Sequence, residues 1–186
     1  NTADILFNNG TGTIVFNHTG TDYDFDVDMR GGGTIRAEGG TTNLNGDNSG
    51  LTGDTFVGST AGATIVVEGG ADYANAETQI GVASGEVGSV QVTGTGSTWT
   101  NTDSINVGYR GTGYFTASSG GTVTADNAYL GLHAADGVGY ATFTGAGTTA
   151  TIANAFAVGQ DGVGTLLISD GAEVTNAQAF VGRQTG

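Results

Sequence analysis

The dipeptides Ile80-Gly81, Val107-Gly108, Leu130-Gly131, Val158-Gly159 and Val181-Gly182 recur at intervals of 27, 23, 28 and 23 residues, and no other property of the chain limits its fold as sharply. Self-similarity at such a period marks a stack of like units, each burying its apolar side against the next. The intervals alternate, so that a long and a short unit together span 50 and then 51 residues. Within each unit a Gly precedes an alternating run: SVQVT from Ser89, YFTAS from Tyr114, YATFT from Tyr140 and TLLIS from Thr165. Period-two alternation is the pattern of a strand with one buried face.

Aligning the runs gives an inner column of Val90, Phe115, Ala141 and Leu166, and a second of Val92, Ala117, Phe143 and Ile168. Large and small residues compensate between the columns, as expected if all eight fill one close-packed interior. Each unit holds two more short strand signals, one near Trp99, Val123, Ala150 and Val174, the other ending at the aligning dipeptide. Three strands and three turns make one coil of a parallel β-helix. The expected fold is therefore all-β, a single-stranded parallel β-helix (β-solenoid) of about seven coils of roughly 25 residues, roughly 33 Å long. It runs continuously over residues 1–186, with less regular coils over 1–79 and regular long and short coils over 80–186. Ile14, Ile35 and Ile65 are taken to extend the Val90 column backward.

Composition agrees. The 36 Gly residues suit turns needing positive φ, and the absence of Pro suits strands that all donate to a neighbour. A hydrophobic fraction of 37% separates the chain from disordered Gly-rich sequences. Arg30, Arg36, Arg110 and Arg183 are the only basic residues, and the net charge is −14. That balance removes the attraction on which nucleic-acid binding depends and disfavours anionic membranes. No apolar run is long enough to span a bilayer, so no membrane insertion by this segment is expected. The chain lacks Cys, and its first residues do not read as a signal peptide, which suggests a mature or excised segment.

The stretch GTIRAEGGTTNLNGDNSGLTGDTFVG, from Gly33 to Gly58, resembles the autotransporter-associated β-strand repeat. The matching parts are Thr42-Asn43-Leu44, the turn Gly46-Asp47-Asn48 and Thr52-Gly53-Asp54-Thr55-Phe56-Val57. VTGTGSTWTN at 92–101 and GTLLISDGAEVTN at 164–176 are similar to coils of bacterial autotransporter passenger regions. The resemblance implies a right-handed winding, an extracellular or bacterial cell-surface location, and a β-helical adhesin. The family's C-terminal membrane barrel has no counterpart in this sequence.

Four groups of residues are candidate sites. Asp22, Asp24, Asp26 and Asp28 alternate with Tyr23, Phe25, Val27 and Met29, as on one strand with a wet acidic face and an inward apolar face. They are a candidate cation strip, although alternate residues lie nearly 7 Å apart and no calcium-loop motif accompanies them. Asp136 and Asp161 fall in the same loop of consecutive coils, at a separation that suits a carboxylate pair for glycoside hydrolysis, yet both sit in turn-forming Asp-Gly dipeptides. His18 and His133 stand alone and read as polar loop residues. Tyr114 with Tyr140, and Tyr129 with Phe180, take equivalent outer positions and are candidate contacts for glycan or protein.

No cofactor is implied and no catalytic constellation stands out. The expected function is a non-catalytic extracellular stalk or adhesin segment mediating adhesion or self-association. Expected partners are a glycan, a host or matrix protein, or another copy of the chain, side by side or head to tail. Neither end carries a polar capping segment, which raises an alternative: the subunit of an extracellular filament assembled by end-to-end stacking. A polysaccharide-active enzyme is the third expectation.

Overall fold

A computed structural model describes residues 4–8, 12–133 and 136–183. Residues 1–3, 9–11, 134–135 and 184–186 lie outside the described residues. The described residues form strands and turns without a helix, stacked in parallel as a β-solenoid of about seven coils.

Three lanes of strands run along the rod. The first comprises Tyr23–Phe25, the end of Thr34–Leu44, Ala63–Val67, Val87–Thr93, Thr112–Ser118, Val138–Thr144 and Val163–Ser169. The third lane is equally continuous, from Thr13–Asn17 to the end of Glu173–Val181. The second has two parts, Asp4–Phe7 to Gly50–Leu51 and Asp72–Asn75 to the start of Glu173–Val181. Only the isolated Asn48–Tyr73 bridge joins them. This offset underlies the irregular spacing before residue 80.

Both inner columns take the expected register, with Phe115 opposite Ala141 and Ala117 opposite Phe143, so each ring fills the space its neighbour leaves. Six of the eight residues are buried; on the last described rung Leu166 is partly covered and Ile168 is 45% exposed. The backward extension of the column needs correction. Ile14 pairs with Ile35, but Ile35 continues to Thr55 in the third lane. Ile65 and Val90 lie in the first lane, where the earlier members are Thr42 and Tyr23. Strands in both lanes begin with similar Thr-Ile pairs, which makes the two columns look like one.

The long and short coils differ at every corner. From the first lane to the second, the steps Val67–Asp72, Val92–Thr98, Ala117–Thr122, Phe143–Thr149 and Ile168–Glu173 advance 5, 6, 5, 6 and 5 residues. From the third lane back to the first, Ile80–Gly88, Val107–Gly113, Leu130–Gly139 and Val158–Gly164 advance 8, 6, 9 and 6. Short coils turn through Ser119-Gly120 and Asp170-Gly171, both residues at positive φ, as in a type I′ turn. Long coils use a buried hydroxyl instead. Ser97 and Thr148 donate to the carbonyls of Thr93 and Thr144 and accept the N–H of Gly70 and Gly120 on the preceding coil.

The glycine of the aligning dipeptide is obligatory at this geometry. Gly108 has φ +72°, and a Cβ there would lie 2.2 Å from the Val138 carbonyl oxygen of the next coil.

Inside the rod, Trp99 is fully buried, stacked on Tyr73 at 4.3 Å and edge-on to Phe115 at 6.3 Å. Its indole N–H donates to Asn101 Oδ1 at 2.7 Å, and Asn101 donates to Thr78 Oγ1 at 2.9 Å. Asn75 donates to the same hydroxyl, and Tyr73 shares a hydrogen bond with Thr55. Burial pushes the Tyr73 phenol well above its ordinary value. The polar groups that break the apolar columns are thus mostly paired with one another, with the Asn75 amide oxygen left without a partner among the described residues.

Candidate functional site

The acidic stretch does not form one strand. Tyr23–Phe25 belongs to the first lane and Asp28–Gly31 to the second, with Asp26 and Val27 at the corner between them. Side-chain alternation persists through the corner because residues 22–29 keep their inner and outer sides. Met29 is buried, Phe25 and Val27 are half-buried, and Tyr23 is 47% exposed, the first-lane strand being the lowest of its stack.

The carboxylates are interleaved with the amides of the next coil. Asn43 Nδ2 donates to Asp22 Oδ1 at 2.7 Å and to Asp24 Oδ1 at 3.0 Å. Asn45 Nδ2 donates to Asp24 Oδ1 and Asp26 Oδ1, each at 3.1 Å. One amide therefore sits between each two acids, and the bonds from Asn43 and then Asn45 hold the Asp24 carboxyl below its usual range. Asp28 accepts the backbone N–H of Asp47 at 2.8 Å, and Arg30 lies 3.8 Å from Asp28 and 3.9 Å from Asp47. Among the described residues no three His, Asp or Glu side chains converge as a metal-ligand set. The strip proposed for a cation is bridged by amides one by one.

The two aromatic pairs fall at the expected positions. Tyr114 and Tyr140 are direct partners in the first lane, with ring centroids 5.2 Å apart and planes 10° apart, and are 42% and 37% exposed. Tyr129, Ala157 and Phe180 share one outer column of the third lane. Tyr129 and Phe180 are only half-exposed, and the Arg183 guanidinium lies 4.6 Å from the Phe180 ring centre. Arg110 lies over Tyr109 at 5.9 Å.

Asp136 is exposed and Asp161 half-buried, each two residues ahead of the paired Val138 and Val163, so they occupy equivalent turns of consecutive coils. His133 packs edge-on to Tyr109 at 4.7 Å, and its Nε2 has no hydrogen-bond partner among the described residues. His18 is fully engaged. Its Nδ1 accepts the Gly20 N–H at 3.1 Å, which leaves Nε2 as the protonated nitrogen facing Thr42 Oγ1 at 3.0 Å.

The loop carrying His18 walls a groove of about 520 Å³ on the first lane. Its floor is the outer column Thr41, Thr64 and Ser89, one residue per coil, and Gly39 and Gly40 of the next coil line it directly against the His18 loop. A register shift between Phe16 and Asn17, which sets Asn17 opposite Gly39, turns the loop outward. The sequence motifs do not reveal this groove, because its lining comes from four separate stretches of chain that meet only when the coils stack. The Asn43 and Asn45 partners were more accessible: two Asn at alternate positions, one coil after the Asp series. Comparison with family models, with curated proteins and with solved structures finds no match.

Proposed function

We propose that this chain is a non-catalytic extracellular segment of a bacterial β-helical adhesin, of the autotransporter-passenger type, that mediates adhesion or self-association. The observation that carries this reading is the continuous first lane, whose outer face offers hydroxyls, amides and a stacked tyrosine pair over six to seven consecutive coils. A flat, regular, hydrogen-bonding surface on a stiff rod suits repeated shallow contacts with glycan or protein. The excess of acid over base keeps such a rod soluble and repels anionic partners.

The direct test is to display the chain on an inert bacterium and measure autoaggregation and adherence to glycan-coated and matrix-protein-coated surfaces. Gain of either property over a vector control supports the reading, and gain of neither removes it. Head-to-tail assembly into a filament is a second reading, favoured by the exposure of Ile168 and Val181, inner-column residues left uncovered on the last described coil. Electron micrographs of the purified chain at rising concentration separate the two, fibres supporting the filament and dispersed short rods the adhesin segment.

A further inference from the structure

The groove on the first lane is lined by hydroxyls that are not tied to their neighbours, a state they share with Thr116 and Thr142 farther along the same lane. Elsewhere many hydroxyls are tied to their neighbours: Ser118 to Thr93, Ser169 to Thr144 and Asp170, Thr98 to Asp72. The side chains of Thr19, Thr21, Thr41, Thr64 and Ser89, all lining the groove, make no hydrogen bond to any described residue. Each is a donor and an acceptor at once. Thr41, Thr64 and Ser89 follow one another at the strand spacing of about 4.8 Å, so they form a row of unspent hydroxyls along the rod axis.

The row leads to an aromatic face. Tyr114 is the next residue of the same column after Ser89, and Tyr140 follows it. Because the two rings are nearly parallel, one face of Tyr114 is covered by Tyr140 and the other is turned toward Ser89, whose side chain is too short to cover it. Val87 adds an apolar edge to the groove beside Ser89. Hydroxyls in a row ending at an open aromatic face match a ligand with hydroxyls on its edges and C–H groups on its faces.

Charge narrows the class. Glu38 is the only ionised lining residue, and Arg36 Nε already donates to it at 2.8 Å. His18 has both ring nitrogens engaged, with Gly20 N–H and Thr42 Oγ1. The lining contains no Lys or Arg, and the chain carries −14 overall, so nothing in the groove neutralises a carboxylate, sulfate or phosphate. A volume of about 520 Å³ accommodates two to three sugar rings. Gly40 holds the wall in place: a Cβ there would lie 2.4 Å from His18 Nδ1 and 2.6 Å from the Gly20 carbonyl oxygen.

We propose that this groove binds a neutral oligosaccharide, laid along the rod axis over Thr41, Thr64 and Ser89 with one sugar ring against the free face of Tyr114. The proposal rests on the non-catalytic adhesin reading for its role and on the groove alone for its ligand.

The test titrates the intact chain with neutral hexasaccharides of glucose, xylose, mannose and galactose, and with hexagalacturonate as the anionic probe. At least one neutral hexasaccharide is expected to bind and hexagalacturonate to be rejected. Tyr114→Ala and the groove-filling Thr64→Trp should each weaken binding at least tenfold, while Thr100→Trp, on the second lane, leaves it unchanged. Native near-ultraviolet circular dichroism for each variant separates lost binding from lost folding. The proposal is overturned if no neutral hexasaccharide binds, if hexagalacturonate binds better, or if binding survives both groove variants. Sugar release during the titration would sink the non-catalytic reading and leave the groove standing; adherence to protein-coated surfaces without sugar binding would do the reverse.

Discussion

Removing the Asn101 side chain should cost far more than its small size suggests. In Asn101→Ala the Trp99 indole N–H loses its only acceptor in an environment without solvent, which costs about 1–3 kcal/mol. Thr78 keeps Asn75 as a donor, and the Ala76 carbonyl keeps the Asp103 N–H at 3.1 Å, so their losses together add only about 1 kcal/mol. The expected total is about 2–4 kcal/mol, or a fall in Tm of about 4–16 °C for a chain of this size. Trp99 is the only tryptophan, so its fluorescence in urea reports the region directly. A double-mutant cycle with Trp99→Phe, followed by far-ultraviolet circular dichroism, should give a coupling of about 1–3 kcal/mol. A loss below about 1 kcal/mol, or a coupling near zero, would refute the claim that these two residues are each other's partners in the core.

Phe115→Ala empties a site that the facing Ala141 cannot fill, and it should cost about 3–5 kcal/mol in urea unfolding. Gly108→Ala combines a positive φ with a backbone clash against Val138, so it should lower soluble yield and Tm, whereas Gly62→Ala, where a Cβ meets nothing within 4 Å, should be destabilising by only about 1 kcal/mol. Asp24 titrates below an ordinary aspartate, so its contribution to stability is present above the unfolded value of about 3.9 and is lost as pH falls through the lower folded value. Carbon-13 titration should show the Asp24 carboxyl moving back up in an Asn43→Ala/Asn45→Ala variant. Tyr73 has the opposite sign: its phenol is raised, so the associated stability is complete below about pH 10 and is lost as pH rises further. Absorbance at high pH should show the Tyr73 phenol ionising only together with unfolding.

Much of the fold is written in single residues. The alternation at Val90, Phe115, Ala141 and Leu166 fixes which side faces inward, and the glycine of each aligning dipeptide marks a positive-φ corner, where at Gly81, Gly108 and Gly131 a Cβ would strike the next coil. These signals are local and repeat four or five times, which makes them readable. The paired positions of Tyr114 with Tyr140, and Tyr129 with Phe180, follow from the same register.

What was not legible depends on one coil meeting another. The corner at Asp26 and Val27 has no Gly, Pro or Asn to announce it, so eight alternating residues read as a single strand. Ile35 and Ile65 carry the same local pattern in different lanes, and only hydrogen-bond register separates them. The amides of Asn43 and Asn45 that meet the acidic series come from the next coil, and the groove beside His18 lies next to the register shift that sets Asn17 opposite Gly39.

The register of the first lane is the claim on which the binding face depends, and the absence of Cys from the sequence makes it directly measurable. Thr116 and Thr142 are outer-face partners on adjacent coils, at a strand spacing of about 4.8 Å that lies within disulfide reach. Under mild oxidation a Thr116→Cys/Thr142→Cys variant should form an intramolecular disulfide quickly and in high yield, whereas Thr116→Cys/Phe143→Cys, whose second thiol points into the core, should not. Equal cross-linking of both pairs, or preferential cross-linking of the second, would contradict the stacked register and the outer face built on it.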